Sequence, residues 1–234
     1  VAMNVGAGVT AIADNGDGTA TVKYEQKGKQ LEVLCEKVLM AVGRAPRLPQ
    51  GLDAAGVEHS PRGIVVDDNM RTNVDGVYAI GDVNGQYMLA HTAYREAEVA
   101  VNHMLGKWDE MRYDVIPAVI YTDPEVASVG MTEAQVKAAG IEYKVGKFPY
   151  TASGKATAAG ERDGFVKLIF DAEEKLLGAH FVGHNVTEMI GEPTLAKVLG
   201  VSAHRIARTI HAHPSMHEAV MEAAEDALGC AIHM

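Results

Sequence analysis

The chain has 234 residues, 47% hydrophobic and 22% charged, with a net charge of -10 at pH 7 and a pI near 5.4. That length can bury one large core or two smaller ones, and the acidic balance argues against non-specific nucleic-acid binding and against docking on anionic membranes. No apolar run approaches the ~20 residues needed to cross a bilayer, and no basic segment followed by an apolar stretch opens the chain as a secretory leader.

The first residue is Val1 rather than Met, which predicts a piece of a longer polypeptide. NVGAGVTA (4–11) superficially resembles a glycine-rich phosphate loop. Such a loop follows a strand and opens a helix; here the glycines lead into an alternating pattern, so a turn before a strand is expected. The first forty-odd residues read as strands. VTAIADNGDGTATVKYEQ alternates apolar and polar residues on both sides of DNGDG, a hairpin signal. KVLMAVG (37–43) is a continuous apolar run ending in Gly, the pattern of a fully buried strand. Two prolines in RAPRLPQG then break the order.

GIVVDD (63–68) predicts a short strand, and GVYAIGD (76–82) another buried strand ending in Gly-Asp. AHTAYREAEVAVNHMLG (90–106) is helical in period and closed by a glycine. From about Asp114 the texture changes. VIPAVIYTDPEVASVG reads as strand, turn and strand. MTEAQVKAAG reads as a short helix with Thr132 and Gln135 at capping-box spacing and Gly140 after it. GFVKLIFDAEEKLLGAHFVG is a hairpin around DAEEK. Three helices finish the chain: TEMIGEPTLAKVLG, AHRIARTI and one from Pro214 to Leu228. Strands followed by segregated helices define an α+β unit. The two cysteines, Cys35 and Cys230, stand in unrelated contexts, an intracellular usage with neither metal-ligand spacing nor a disulfide framework.

Three stretches carry candidate chemistry. In GVYAIGD, Gly81 would let a ligand approach the backbone and Asp82 could accept hydrogen bonds from sugar-like hydroxyls, although Gly-Asp is also common turn chemistry. In AVGRAPR (41–47), Gly43 and Arg44 suit either a phosphate or carboxylate contact or a plain structural loop. HAHPSMHE (211–218) is the densest cluster. Pro214 suits the first position of a helix, which puts His213 at the N-cap and Glu218 inside. Three readings stay open there. His211, His213 and His217 could hold a metal, but no acidic or thiolate ligand is attached to the pattern. They could be surface histidines flanking a helix. Or His213 could be an acid–base group whose second ring nitrogen donates to Glu218.

AVGRAPR, RTNVDGVYAIGD, YMLAHTAYREA, VIPAVIYTDPEVASVGMTE and HAHPSMHE stand in the order and spacing of the FAD-dependent pyridine-nucleotide disulfide oxidoreductases. The chain resembles that family over essentially its whole length, and its dihydrolipoamide-oxidising members most of all. The resemblance implies the end of a Rossmann-like α/β NAD domain over residues 1–44, a central segment contacting FAD over 45–113, and an α+β dimerisation domain over 114–234. It places Asp82 on the ribityl and phosphate-linking region of the flavin. It places Met88, Leu89, Ala90 and His91 along the isoalloxazine ring, and Gly43 near NAD. It makes His213 the catalytic base and Glu218 its orienting partner, offered to the other subunit of a homodimer. Electrons would pass from dihydrolipoamide, on a lipoyl domain of a 2-oxo-acid dehydrogenase or glycine cleavage complex, through an enzyme disulfide and FAD to NAD, in the cytoplasm.

The same resemblance implies what this chain lacks. Neither Cys35 nor Cys230 stands where the family keeps its redox pair, and the adenine-side glycine motif for FAD and the phosphate loop for NAD are absent. The chain is therefore expected to be the C-terminal half of the enzyme, inactive and largely flavin-free alone. Ser215 stands where Thr is common, and AYRE where relatives carry a more acidic stretch. A glutathione-reductase-like activity and a dimerisation module without catalysis remain the alternatives; the single Cys230 in ALGCAIHM argues against a mercuric reductase.

Overall fold

The computed structural model describes residues 1–233. Strands β1 (Ala7–Asp14), β2 (Ala20–Gln26) and β3 (Lys29–Cys35) form an antiparallel sheet in that order. The DNGDG turn closes on its own side chains: Asp14 Oδ1 accepts the Gly16 N–H at 2.8 Å, and Asp17 Oδ1 accepts the Thr19 N–H at 2.9 Å. Gly16 and Gly18 take φ of 75° and 88°, a region that other residues resist. The glycines of 4–11 lead into β1, as their context requires.

The strand expected over 37–43 does not form. Residues 37–49 carry no regular structure, and Leu39 is 90% exposed. A continuous apolar strand is stable only when sheet neighbours flank it and helices cover both faces, and none of the described residues supplies that environment. GVYAIGD departs in the same way. A single antiparallel bridge joins Tyr78 to Arg71, and a short 3-10 helix takes over at Gly81–Asn84. GIVVDD contributes only β5 (Gly63–Ile64), paired with β4 (His59–Ser60).

Helix α1 (Ala90–Met104) buries Thr92, Glu96, Val99 and Ala100, one stripe at helical spacing. Val99 and Ala100 meet Met70 and Met111 in a small core. Gly106 closes the helix at φ 68°.

The remainder is a five-stranded antiparallel sheet in the order β6-β7-β10-β9-β8. Its strands are β6 (Ala118–Ile120), β7 (Val126–Gly130), β8 (Tyr143–Pro149), β9 (Phe165–Asp171) and β10 (Leu176–Val182). Helix α2 (Glu133–Ala138) carries the full capping box, with Thr132 and Gln135 each bonding the other's backbone N–H. Helices α3 (Gly154–Ala159), α4 (Val186–Met189), α5 (Gly191–Leu199), α6 (Ala203–Ala207) and α7 (Glu218–Ala227) complete the unit. The main core joins the sheet residues Phe148, Val166, Leu168, Phe170 and Phe181 to Val220, Ala223 and Ala224 of α7. A Cβ on Gly146 would sit 1.8 Å from the Ala223 carbonyl oxygen, so this glycine is what lets α7 lie directly on β8. Among the described residues no helix is long and apolar enough to cross a membrane.

The last helix starts four residues later than its proline suggests. Helix α7 begins at Glu218 with His217 in the N-cap position, and the His213–Pro214 peptide is cis. His213 is thus not an N-cap. The Glu218 carboxylate accepts the Ser215 N–H, so residues 213–217 close as a turn ahead of the helix.

Candidate active site

The turn between α6 and α7 presents His213 to solvent. Its side chain is 80% exposed, and its Nδ1 lies 2.8 Å from Glu218 Oε1. A carboxylate only accepts, so Nδ1 carries the hydrogen, which in a neutral ring leaves the lone pair on Nε2. The second oxygen of Glu218 accepts the Ser215 N–H at 2.8 Å. Burial works to raise the Glu218 carboxyl pKa, but the Ser215 N–H and the His213 ring outweigh it and hold the group below its ordinary value. The pair stands at the edge of a cavity of about 410 Å³ that Phe148, Ser153 and Gly154 also line. Chemically this is an oriented imidazole, with one nitrogen free to take a proton and a fixed anion behind the other.

The cluster read from the sequence divides in two. Glu192 of α5 accepts from His211 Nε2 at 2.8 Å and from His217 Nδ1 at 2.9 Å, so these two rings serve another carboxylate. No three of the described His, Cys, Asp and Glu side chains converge on a metal-sized point. Sequence reading missed Glu192, which lies 19 residues before His211 with no periodicity linking the two.

The other candidate residues gather around the start of α1. Gly81 takes φ 73°, where an added Cβ would lie 3.4 Å from the Ala93 Cβ, and donates its N–H to Glu96 Oε2 at 2.6 Å. Glu96 is fully buried and also accepts from Asn84 Nδ2 at 3.0 Å and from the Tyr113 hydroxyl at 2.8 Å. Burial, then the Glu96 carboxylate, pushes the Tyr113 hydroxyl pKa upward. This carboxylate ties the Gly-Asp turn to α1, and it too went unread; its only signal was an acidic residue on the apolar stripe of a helix.

With Gly81 so anchored, Asp82 projects half-exposed, and Arg44 Nη2 stands 3.8 Å from it. Met88 and Leu89 are half-buried, while Ala90 and His91 are exposed. His91 Nε2 donates to the Pro117 carbonyl at 2.9 Å. No side chain caps α1, because Leu89 holds the N-cap position. The buried Thr92 hydroxyl in that first turn has no partner. Gly43 sits apart at φ 99° with open space around it, linked to this group only through the neighbouring Arg44. An uncapped helix start favours anionic or polar acceptors, Asp82 favours hydroxyls, and Met88 and Leu89 favour a flat apolar surface. Together these groups are chemically compatible with a flavin.

Residues 116–224 match the family described as pyridine nucleotide-disulphide oxidoreductase, dimerisation domain, and residues 1–97 match pyridine nucleotide-disulphide oxidoreductase. The chain belongs to the pyridine nucleotide-disulphide oxidoreductase family: the end of a nucleotide-binding α/β region followed by the family's α+β dimerisation domain.

Among curated relatives it is 42% identical over 234 residues to the dihydrolipoyl dehydrogenase of Halobacterium salinarum, and 43% over 237 residues to that of Bacillus subtilis. It is also 43% identical over 230 residues to the mitochondrial dihydrolipoyl dehydrogenase of Pisum sativum. These alignments take in 99%, 100% and 97% of this chain and 49%, 50% and 46% of the relatives, so the chain spans about half their length. Among solved structures, LpdA of Mycobacterium tuberculosis superimposes with a TM-score of 0.84 at 26% identity, over 94% of this chain and 48% of that one. The Cu(II) complex of the HOCl-induced flavoprotein disulfide reductase RclA from Escherichia coli gives 0.80 at 25%, over 93% and 49%.

Proposed function

We propose that this chain is the dimer-forming half of a dihydrolipoyl dehydrogenase, with His213 as the general base for thiol oxidation and Glu218 as its orienting partner. The observation that carries the reading is the 2.8 Å contact between His213 Nδ1 and Glu218, which leaves Nε2 facing outward on an exposed ring. The 42–43% identity to dihydrolipoyl dehydrogenases favours dihydrolipoamide, on a lipoyl domain of a 2-oxo-acid dehydrogenase or glycine cleavage complex, as the thiol substrate.

A thiol with a pKa near ~8.5 is mostly protonated at neutral pH, and the thiolate is the nucleophile. An imidazole near ~6.5 can take the proton on Nε2. Glu218, held anionic, then faces an imidazolium, which stabilises the charged pair of base and thiolate. The thiolate attacks one sulfur of a disulfide and expels the other as a thiolate. The substrate's second thiol, on losing its proton, attacks the resulting mixed disulfide, closing the substrate's own disulfide and expelling the enzyme's first sulfur as a thiolate. That enzyme disulfide must come from polypeptide outside this chain, since Cys35 and Cys230 lie far apart in sequence and both are free.

For the cofactors, Asp82 would bind ribityl hydroxyls, Met88, Leu89, Ala90 and His91 would line the isoalloxazine ring, and Gly43 would lie beside NAD. Bound there, FAD supplies the two-electron relay between the dithiol and NAD. The domain division is taken at residues 44 and 113; the small cores join residues from Leu48 to Ile116 and the large one joins Val119 to Leu228, so the packing changes a few residues after the second of these. The match of residues 116–224 to the family's dimerisation domain favours a homodimer, in which each exposed His213 would serve the other subunit.

In the full-length enzyme, His213→Gln should lower dihydrolipoamide oxidation by a factor of ~10² to 10⁴ while flavin content is retained. An unimpaired rate rules out the role. Disulfide reduction with glutathione in place of lipoamide separates this reading from a glutathione-reductase-like one.

A further inference from the structure

Two of the three histidines in the α6–α7 turn are committed to one carboxylate. Glu192 stands in the first turn of α5 and takes His211 on one oxygen and His217 on the other. His213 lies between these two anchored rings. Residues 208–217 belong to no helix or strand, so backbone hydrogen bonding alone does not fix where His213 stands.

The geometry of His211 sets its charge. Its Nδ1 is 2.9 Å from the Thr209 carbonyl, which only accepts, so Nδ1 carries a hydrogen. Its Nε2 faces the Glu192 carboxylate, which likewise accepts, so Nε2 carries one too. With both nitrogens donating, His211 is an imidazolium, and only 6% of its side chain meets solvent. A cation so placed is tolerable only beside an anion. The Glu192 carboxylate, working against burial, holds the His211 pKa above its ordinary value. Glu192 is itself held low by the two rings, which overcome its burial. His217 needs only Nδ1 for the same carboxylate, and its ring is half-exposed.

We infer that Glu192 is a positioning residue for His213: by gripping both ends of the turn it fixes how far, and at what angle, Nε2 reaches toward the thiol. Among the described residues no hydrogen bond or ion pair joins Glu192 to His213 or Glu218; it acts through the backbone between residues 211 and 217. The inference rests on the reading of His213 as the base.

The test uses the full-length flavoenzyme and two rates. One is dihydrolipoamide oxidation, which needs the base; the other is reduction of the flavin by NADH, which moves no thiol proton. Glu192→Ala removes both accepting oxygens, so both rings lose their anchor. The ratio of the first rate to the second should fall by on the order of 10- to 100-fold, mainly in kcat, since a displacement of about 1 Å in a reacting group costs that much. Should Glu192→Ala fail to yield folded dimer, His217→Phe removes only the half-exposed arm, leaves the His211–Glu192 pair, and should lower the same ratio by a smaller factor.

An unchanged ratio, or an equal fall in both rates, overturns the inference. His213→Gln measured alongside separates the two readings: if it is impaired while Glu192→Ala keeps its ratio, only the positioning role fails. If neither is impaired, the base assignment fails with it.

Discussion

The two halves of the chain use similar residues to different effect. From Val119 to Leu228 the apolar side chains converge on one core, with Phe148, Phe170 and Phe181 from the sheet closed over by Val220, Ala223 and Ala224 of α7. From Val1 to Ile116 the apolar residues make two small clusters, and Val9, Val33, Leu39, Met40 and Val42 stay exposed. The difference lies in what each element needs. An antiparallel sheet with one face under helices is completed by hairpins and short loops of the same segment. A run such as KVLMAVG needs neighbours on two edges and cover on two faces. The contrast can be attacked from its strongest side first. Phe181 has no exposed surface, and Phe181→Ala should cost about 3–5 kcal/mol of unfolding free energy. A shift of the denaturant midpoint equivalent to less than about 1 kcal/mol would mean that the large core is looser than its burial implies.

The N-terminal half has one tightly specified spot, and it is polar. Glu96 collects the Gly81 N–H, the Asn84 amide and the Tyr113 hydroxyl, fixing the Gly-Asp turn, the start of α1 and the loop leading into the next unit. Glu96→Gln keeps the volume but removes the negative charge that strengthens its bonds to the Gly81 and Asn84 N–H groups. Hydrogen bonds to charged partners contribute about 1.5–3 kcal/mol each, so the variant should melt earlier and should expose residues 81–92 to protease. Unchanged protease resistance there would show that apolar packing alone holds the turn.

How far each of these features was legible in the sequence follows from the range of the contact behind it. The capping box of α2 depends on Thr132 and Gln135, three residues apart, and the β9–β10 hairpin on alternation around DAEEK; both formed as read. Helix α1 was legible from its stripe and from Gly106. Strand β8 was not, because Gly146 interrupts its apolar alternation, and the reason for that glycine is the Ala223 carbonyl of a helix 77 positions away. The late start of α7 turns on Glu218 reaching back to Ser215 and His213, a side-chain contact that competes with the helical turn Pro214 favours. The pairing of His213 with Glu218 is local and could be anticipated. Glu192 joining His211 and His217, and Glu96 joining three donors, arise from chain crossings that no spacing encodes.

The smallest expected effect tests the weak side of the contrast. Leu39 is 90% exposed within an apolar run that has no sheet to join. In this chain Leu39→Ser should change stability by no more than about 0.5 kcal/mol, as surface substitutions do. The relatives are twice as long, and if a longer polypeptide supplies strand neighbours for residues 37–43, the same substitution there buries a hydroxyl and strips a leucine. It should then cost about 2 kcal/mol or more from lost apolar burial alone. Equilibrium unfolding of both lengths measures the difference directly. A large effect in the short chain would mean that residues 37–43 already pack, and an equally small effect in the long one would mean that the run is not a strand in either.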